Sequence, residues 1–407
     1  MSDLYKDHNL TDEEVSRYGR QMITADFDVR NQEKLKNSAV LIVGCGGLGN
    51  PVALYLAGAG IGKIGLVDFD TIDISNLHRQ IGFTLDDIGK QKSEILKNAI
   101  LARNPNVEVE IYNTTLNKEN ALKIVKEYTV VADCSDNMPT RYTVNEACLI
   151  TNTPLAMGSA VGWAGQFTFY HINPKGPCYR CLYPNPSKNT INMSCNEKGI
   201  MGPVVGIIGN IQAIEIIKFC AFGESSFSDT MYNYDAFDGR FFNVTLRPKS
   251  PNCESCLGGL TQVNDYQMLC DRIAGQTPLS EVIQEEYRVT SNELLESLKN
   301  DQDAILIDVR PINEFKIAHH PRATNIPINE FSYEKGGLQT VMHLCKKNGD
   351  EEPPNKCFLI CRRGNDSYRV LLLLKARFYG DKALDVVDVI GGYDSWRKDV
   401  DPNFPAY

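Results

Sequence analysis

The sequence predicts an α/β protein with two domains, a larger one followed by a smaller one. Three observations lead to this prediction. Short apolar runs alternate with amphipathic runs between Ser38 and Phe169, as in a mostly parallel sheet covered by helices. A second, shorter alternation of the same kind begins near Tyr287. The intervening residues 263–286 are polar and only weakly periodic, which is typical of a linker.

The individual elements follow from the same patterns. The predicted strands of the larger domain cover residues 39–43, 64–68, 107–112, 130–133 and 165–170, and its predicted helices cover 48–59, 88–102, 118–127 and 141–149. The smaller domain has predicted strands at 303–309, 356–361 and 384–390 and a predicted helix at 370–378. We therefore place the larger domain at 1–262, the linker at 263–286 and the smaller domain at 287–407.

Charge and hydropathy argue against several classes of protein. The formal net charge of −9 argues against general binding to nucleic acid or to an anionic membrane surface. Residues 1–14 lack the apolar core of a signal peptide and the Arg-rich pattern of a transit peptide, so we expect a cytoplasmic protein. The apolar stretch 201–222 contains Asn210, Gln212 and Glu215, which indicates a buried helix and not a membrane span.

A glycine-rich turn predicts a nucleotide site in the larger domain. Residues 44–49 have the form G-x-G-x-x-G between a predicted strand and a predicted helix, where backbone N–H groups can approach phosphate. Asp68 follows after about 20 residues at the end of the next strand, where a carboxylate can accept ribose hydroxyls. These features alone predict a Rossmann-type dinucleotide site. No Walker motif is present, so ATP would need this cradle.

Charged residues near this turn favour phosphoryl chemistry over hydride transfer. Arg79 and Lys92 follow the second predicted strand, and Asp136 and Arg141 follow a later one. Cations neutralise charge that grows on phosphoryl oxygens, and a carboxylate can hold Mg²⁺. For any one of these residues, a solvated surface group is the alternative.

Together, these residues resemble the MoeB/ThiF-like, ubiquitin-activating-type adenylation domain over about residues 14–258. The resemblance implies a Rossmann-like domain that binds ATP and Mg²⁺. It places the following residues on the nucleotide, with Asp136 also near Mg²⁺: Gly47, Asp68, Ser75, Asn76, Arg79, Lys92, Asp136 and Asn137. It also implies a homodimer, in which Arg20 contacts ATP bound by the other subunit.

Four cysteines predict a metal site. Cys178 and Cys181 form one C-x-x-C pair, and Cys253 and Cys256 form another, each after turn-forming residues. Four thiolates in tetrahedral geometry are typical of structural Zn²⁺. A thioredoxin-like redox pair is the alternative, and the presence of two matched pairs argues against it. The adenylation family places one structural zinc per chain at these four positions.

Cys195 is the first of two candidate catalytic cysteines. It lies in a polar segment that precedes a predicted helix near Pro203. A cysteine near a helix N-terminus can have a lowered pKa, and a spare surface thiol is the alternative. The family resemblance implies an acyl-accepting cysteine. It leaves open whether Cys195 forms a thioester or cleaves an acyl disulfide.

Cys361 is the second candidate and follows an apolar strand. The loop 362–367 after it can surround a thiolate or persulfide with N–H groups, aided by the helix dipole, Arg362 and Arg363. A tyrosine-phosphatase loop is the alternative, but it requires arginine where Ser367 stands. Residues 287–407 resemble a rhodanese domain, with Tyr368 at a position where glutamine is expected.

An adenylation domain followed by a rhodanese domain resembles the eukaryotic adenylyltransferases and sulfurtransferases. The resemblance implies ATP-dependent adenylation of the C-terminal glycine of a ubiquitin-like sulfur carrier, followed by sulfur transfer that forms a thiocarboxylate. It implies roles in tRNA thiolation and molybdenum-cofactor synthesis. The implied partners are the ubiquitin-related modifier, the molybdopterin synthase small subunit and a cysteine desulfurase, with no direct nucleic acid and no membrane. A NAD-dependent oxidoreductase and a non-catalytic scaffold stay open as alternatives.

Overall fold

The computed structural model describes residues 7–184, 199–256, 259–266, 287–331, 335–345, 356–377 and 385–406. The chain divides into two compact units, Met1–Gln276 and Thr277–Tyr407. Each unit is a layered α/β structure, which confirms the predicted fold class. The finer domain boundaries stay predictions, because most of the proposed linker 263–286 lies outside the described residues.

The first unit is organised around one eight-stranded sheet. Its strands, in chain order, are β1 Ala39–Val43, β2 Lys63–Val67, β3 Glu108–Tyr112, β4 Val130–Asp133, β5 Leu155–Val161, β6 Ala164–Tyr170, β7 Thr230–Asp235 and β8 Arg240–Thr245. Their spatial order is β3-β2-β1-β4-β5-β6-β7-β8. Pairing is parallel from β3 to β5 and antiparallel from β5 to β8.

Helices cover both faces of the parallel half. They are Asp12–Met22, Val29–Lys36, Gly49–Ala59, Lys92–Arg103, Ala121–Val125, Met138–Thr151, Tyr179–Leu182 and Gly202–Phe222. Val40, Leu41 and Ile42 are completely buried because the central strand β1 has helices above and below it. The chain order reverses between β1 and β4, so the crevice beyond their carboxyl ends is where such sheets bind ligands.

The Gly202–Phe222 helix has the length and apolar composition of a membrane span. It nevertheless belongs to the core, because Val204, Ile208 and Ile216 are buried. Gln212 lies at its centre and donates to the carbonyl oxygens of Asp133 and Ala156 at 3.0 and 2.9 Å. This helix is therefore tied to β4 and β5 by side-chain hydrogen bonds, as expected for a buried helix.

The second unit contains a five-stranded parallel sheet. Its strands are β9 Arg288–Val289, β10 Ile305–Asp308, β11 Ala323–Asn325, β12 Cys357–Ile360 and β13 Val386–Val389, in the order β11-β10-β12-β13-β9. The described helices are Ser291–Asn300, Ile312–Ile317, Gly337–Cys345, Asn365–Arg377 and Gly392–Asp399. Strand β12 is central and fully buried, and it delivers Cys361 to the carboxyl edge of the sheet.

The predicted strands differ from the observed ones in two ways, and the predicted helices begin or end up to five residues from the observed bounds. Most predicted strands shift by only one or two residues at an end, which is the usual uncertainty of strand boundaries. The prediction omitted β5, β7 and β8 in the first unit and β9 and β11 in the second. All six residues of β8 are exposed, so no alternation of buried and exposed side chains marks this strand.

Gly60 shows how tightly the first unit packs around its helix ends. It ends the Gly49–Ala59 helix in the left-handed conformation, with φ of +87°. A Cβ atom there would lie 2.6 Å from the Tyr18 ring and 2.7 Å from the Gln32 amide. Gly223 ends another helix with φ of +79°, but nothing lies within 4 Å of its missing Cβ.

These two glycines give a matched stability test. Gly223→Ala carries only the left-handed backbone penalty, so we expect a loss of about 1 kcal/mol in unfolding free energy. Gly60→Ala adds a steric clash with buried side chains, and we expect at least twice that loss. Chemical denaturation followed by the fluorescence of Trp163 in the first unit measures both. Equal losses in the two variants would contradict the packing argument.

Candidate functional site

The glycine turn after β1 brings two backbone segments into close contact. Gly44 has φ of +97°, and a Cβ there would lie 2.8 Å from the carbonyl oxygen of Cys134. A Cβ on Gly49 would lie 2.0 Å from the carbonyl oxygen of Gly44. On Gly47 it would meet Val205 at 2.8 Å. Only glycine satisfies these contacts, and a turn this tight can bring backbone N–H groups close to a ligand.

A cavity of about 250 Å³ lies against this turn, at the carboxyl ends of the parallel strands. Seven of the residues predicted to contact the nucleotide line it: Gly47, Asp68, Asn76, Arg79, Lys92, Asp136 and Asn137. Thr114, Thr115 and Leu116, which follow β3, also line it and were not predicted. Their residue types do not identify them as cavity lining, and only their position after a parallel strand indicates a ligand site.

Asp68 is held rigidly beside the turn. Its carboxylate accepts the backbone N–H groups of Cys45 at 2.7 Å and of Asp70 at 2.8 Å. Burial raises the pKa of Asp68, and these two hydrogen bonds oppose the shift. The carboxylate therefore has a fixed position from which it can accept hydrogen bonds from hydroxyl groups.

Three cations line the cavity from different elements, and one of them, Arg141, donates to the carbonyl oxygen of Ser135 at 3.0 Å. Lys92 begins the Lys92–Arg103 helix and forms an ion pair with Asp70 at 2.8 Å. Arg79 donates to the carbonyl oxygen of Ser75 at 2.8 Å. Burial lowers the pKa of Arg79, and Asp136 opposes this shift by its negative charge. The positive charge is thus partly desolvated, which strengthens its attraction for phosphate oxygens.

Two of the residues predicted to contact the nucleotide, Ser75 and Arg20, do not line this cavity. Ser75 lies beside it, and its carbonyl oxygen holds Arg79. Arg20 is exposed on the Asp12–Met22 helix and is not part of the cavity wall. Cys195 lies outside the described residues.

The four predicted metal ligands come together in one cluster. The Sγ atoms of Cys178, Cys181, Cys253 and Cys256 all lie within 4.8 Å of one another. Three of the Sγ–Sγ distances are 3.8, 3.7 and 3.6 Å. Tetrahedral Zn–S bonds of about 2.3 Å would place the sulfurs about 3.8 Å apart. The geometry therefore fits a four-thiolate metal site.

A buried carboxylate connects this cysteine cluster to the nucleotide cavity. Glu146 lies on the Met138–Thr151 helix, which begins next to Asn137 in the cavity wall. It is completely buried and accepts from Ser255 at 2.7 Å and from Tyr266 at 2.5 Å. It also accepts from Arg180 at 3.3 Å. One helix thus contacts both the cavity and the cysteine cluster.

Cys361 lies directly after β12, and the second unit surrounds its sulfur with donors. The Sγ atom accepts the Gly364 N–H at 3.1 Å and the Ser367 hydroxyl at 3.3 Å. Burial raises the pKa of the Cys361 thiol, and the Ser367 hydroxyl opposes this shift. Gly364 has φ of +80°, which turns the loop around the sulfur.

The two arginines of this loop have a different partner. Arg362 and Arg363 lie 3.9 and 3.6 Å from Asp394 on the Gly392–Asp399 helix. The donors that contact the Cys361 sulfur are neutral N–H and O–H groups. The loop therefore offers hydrogen bonds to a singly charged sulfur anion.

Comparisons with known proteins identify a family for each of the two units. Residues 18–255 match the ThiF family model, and residues 290–399 match the rhodanese-like domain model. The solved structure of E. coli MccB with ATP covers 61% of this chain and 83% of its own, at 26% identity and a TM-score of 0.53.

Full-length relatives carry both domains in one protein. The adenylyltransferase and sulfurtransferase MOCS3 of Caenorhabditis briggsae is 38% identical, with 98% of each chain covered. The protein of the same name from Dictyostelium discoideum is 39% identical over all of both chains. That from Drosophila yakuba is 40% identical, with 98% of this chain and 86% of the relative covered. The chain therefore belongs to the MOCS3 family of adenylyltransferases and sulfurtransferases.

Proposed function

We propose that this enzyme adenylates the C-terminal glycine of a ubiquitin-like sulfur carrier and then converts it to a thiocarboxylate. The observation that carries the proposal is the cavity that joins a glycine turn to Arg79, Lys92 and Asp136. A carrier carboxylate attacks the α-phosphate of ATP there, and pyrophosphate leaves. The cations offset charge on the phosphoryl oxygens, and the Asp136 carboxylate is suited to hold Mg²⁺.

The second stage uses Cys361. Its thiolate takes the sulfane sulfur of a persulfide donor, and the donor leaves as a thiolate. We propose a cysteine desulfurase as this donor. The Cys361 persulfide anion then attacks the carbonyl carbon of the acyl-adenylate, the bond to phosphate oxygen breaks, and AMP leaves with the electron pair. Cys195 either cleaves the resulting acyl disulfide or accepts the acyl group as a thioester.

Exposed aromatic side chains support a protein substrate. Trp163 and Phe237 pack edge to face with ring centroids 5.8 Å apart, although both are exposed. Phe241 and Phe242 are exposed on the neighbouring strand β8, an edge of the described sheet. Clustered exposed aromatics and a free strand edge are typical of docking surfaces for proteins.

We further propose a homodimer in which Arg20 of a second copy completes the ATP site. Arg20 is exposed and does not line the cavity of its own chain. Ile23, Ile74, Ile81 and Leu85 are each more than 60% exposed, and such apolar side chains are commonly covered in an assembly. Cytoplasmic tRNA thiolation and molybdenum-cofactor synthesis are the pathways that the family resemblance implies.

The cysteine cluster is proposed to hold one structural Zn²⁺. When bound, the ion cross-links the two C-x-x-C turns and compensates the charge of four thiolates. Cys178 and Cys181 supply one half of the ligand set, and Cys253 and Cys256 supply the other. Four sulfurs leave no coordination position open, so we assign no catalytic step to this site.

Lys92→Ala tests the adenylation step. We expect carrier-dependent ATP–pyrophosphate exchange to fall roughly 100-fold, because a cation that meets the phosphates is lost. Lys90→Ala is the matched control, since Lys90 is exposed and paired with Asp87 outside the cavity. Equal exchange in both variants would contradict the proposed site. Reduction of NAD without any exchange in the wild type would instead favour the oxidoreductase alternative.

Cys253→Ser tests the metal. We expect zinc to fall from one ion per chain to nearly none, with a lower thermal midpoint, because a closed four-thiolate site contributes directly to folding. Elemental analysis measures the metal, and Cys220→Ser serves as a control outside the cluster. A metal-free wild type that contains a disulfide between these cysteines would support the redox alternative.

Cys361→Ala separates the two activities. We expect loss of sulfur transfer with adenylation unchanged, because Cys361 and the nucleotide cavity belong to different units. Mass spectrometry of the carrier after reaction with ATP and a sulfur donor measures the exchange of one oxygen for one sulfur. Cys345→Ala, at another buried cysteine of the second unit, should still transfer sulfur. Full transfer by the Cys361→Ala variant would remove the proposed role of Cys361.

A further inference from the structure

A second buried carboxylate lies behind the Cys361 loop and has no part in the function described above. Asp388 lies on β13 and is completely buried. Its Oδ2 atom accepts from the Arg288 side chain at 3.1 and 2.8 Å. Its Oδ1 atom has no well-formed hydrogen bond within the described part of the chain. Such an oxygen is costly, because burial removes its contact with water.

Ser367 connects this carboxylate to the reactive sulfur. It is completely buried on the Asn365–Arg377 helix, and its hydroxyl donates to Cys361 Sγ at 3.3 Å. Asp388 lies on the sheet face that this helix covers, because Leu359, its neighbour on β12, packs in the same apolar cluster as the helix. Burial raises the pKa of Asp388, while the Ser367 hydroxyl and the Arg288 guanidinium oppose the shift by favouring the charged form. A serine hydroxyl has one proton, so it can serve only one of the two acceptors at a time.

We propose that Asp388 is a positioning residue for Cys361 that acts through Ser367: its unsatisfied carboxylate oxygen competes with the cysteine sulfur for the single hydroxyl proton of Ser367. When the sulfur is a neutral thiol, the hydroxyl donates to Asp388 and satisfies Oδ1. When the sulfur is an anion, the hydroxyl turns to the sulfur, and Oδ1 loses its donor. Ionisation of the thiol breaks its S–H bond and releases the proton to solvent, and the only other change is the redirected serine hydrogen bond.

The competition weakens the hold of the loop on a sulfur anion. Each time the anion gains the Ser367 hydrogen bond, the buried carboxylate oxygen loses one. Under the proposed function, on which this consequence rests, Asp388 limits the stabilisation of the Cys361 sulfur anion and so keeps it reactive as a nucleophile. The competition itself requires neither a carrier nor a sulfur donor.

Other charged groups near this pair are already engaged. Asp366 raises the pKa of Cys361 by its charge and pairs with Arg369 at 3.2 Å. On the other side of Asp388, Arg288 lies over the Tyr368 ring, 4.9 Å from its centroid. The residue opposite Asp388 on β12 is the apolar Leu359.

Two arginines of the loop also carry charge near the sulfur. Arg362 and Arg363 both reach Asp394, as described above. Among the residues that the structure describes, Ser367 is the hydroxyl donor that contacts Cys361 Sγ. Ser367 is therefore the link through which a change at Asp388 would reach the sulfur.

A double-mutant cycle tests this link. The measurement is the pH profile of iodoacetamide alkylation at Cys361 in the full-length protein, resolved by mass spectrometry of its peptide. Ser367→Ala removes a donor to the thiolate, so the midpoint should rise by about one pH unit. Asp388→Asn weakens the competing acceptor and leaves the proton for the sulfur, so the midpoint should fall by up to about one unit.

The combined variant decides the mechanism. If Asp388 acts through Ser367, Asp388→Asn should cause no further shift in the Ser367→Ala background. An equal shift in both backgrounds would show a direct effect of charge, and no downward shift in either would show a structural ion pair only; both results overturn the proposal. Ser367→Thr, which keeps the hydroxyl, should restore the response to Asp388→Asn.

Two further variants serve as controls, one for the loss of a buried charge and one for misfolding. Asp308→Asn removes another completely buried carboxylate of the second unit, which is paired with Arg310, and should leave the alkylation midpoint unchanged. If Asp388→Asn alone fails to fold, Arg288→Met with Asp388→Asn removes both charges together. The doubly substituted protein is then compared with and without the Ser367→Ala substitution, and the shift should again require the serine hydroxyl.

The outcome is separable from that of the proposed function. If the alkylation midpoint of Cys361 does not depend on Asp388 while sulfur transfer is intact, this inference is wrong and the proposed function stands. If the double-mutant cycle gives the expected midpoint shifts but the protein transfers no sulfur, the proposed function is wrong and this inference stands.

Discussion

The adenylation site depends on one close approach of backbone to backbone. The carbonyl oxygen of Gly44 lies where a side chain on Gly49 would begin, with 2.0 Å between them. This contact folds residues 44–48 into a tight turn between the end of β1 and the start of the Gly49–Ala59 helix. The turn then lines the crevice at the carboxyl edge of the sheet, where one of its N–H groups holds Asp68 and others can approach a phosphate.

The two units stabilise negative charge by different means. The first uses side-chain cations, because phosphoryl oxygens carry several charges that extend over a cavity of about 250 Å³. The second uses neutral donors from Gly364 and Ser367 around one sulfur atom. A single charge on a large, polarisable atom needs short-range hydrogen bonds more than a net positive field. The arginines of that loop can therefore pair with Asp394 without weakening this arrangement.

The sequence was most informative where one local rule governs the residue. The apolar run of β1 was predicted to the residue, because both of its faces are buried. The four cysteines of the metal cluster were also predicted, since two C-x-x-C pairs in one chain are characteristic of a four-thiolate site. The glycine turn and the strand that ends at Cys361 followed from equally local patterns.

Features that depend on packing between residues distant in the sequence could not be predicted from it. Strand β8 is exposed along its whole length, so its hydrophobic pattern lacks the alternation that marks a strand. Glu146 is buried beneath turns that lie far from it in sequence, and nothing near it in the sequence identifies those partners. Asp388 lies on a strand whose sequence has no distinctive motif. Its proposed effect on Cys361 passes through Ser367, which belongs to a different element.

The residue at position 367 also decides which chemistry the Cys361 loop can perform. A phosphatase needs arginine at this position, because a phosphate dianion requires a fixed guanidinium with several donors. Serine supplies one proton, and its short side chain leaves the sulfur enclosed by backbone N–H groups. Asp388, buried on the sheet face that the same helix covers, adds negative charge that would oppose a bound dianion. The same pair suits a sulfur that must be accepted and then released, because the strength of its last hydrogen bond is limited by a competing acceptor.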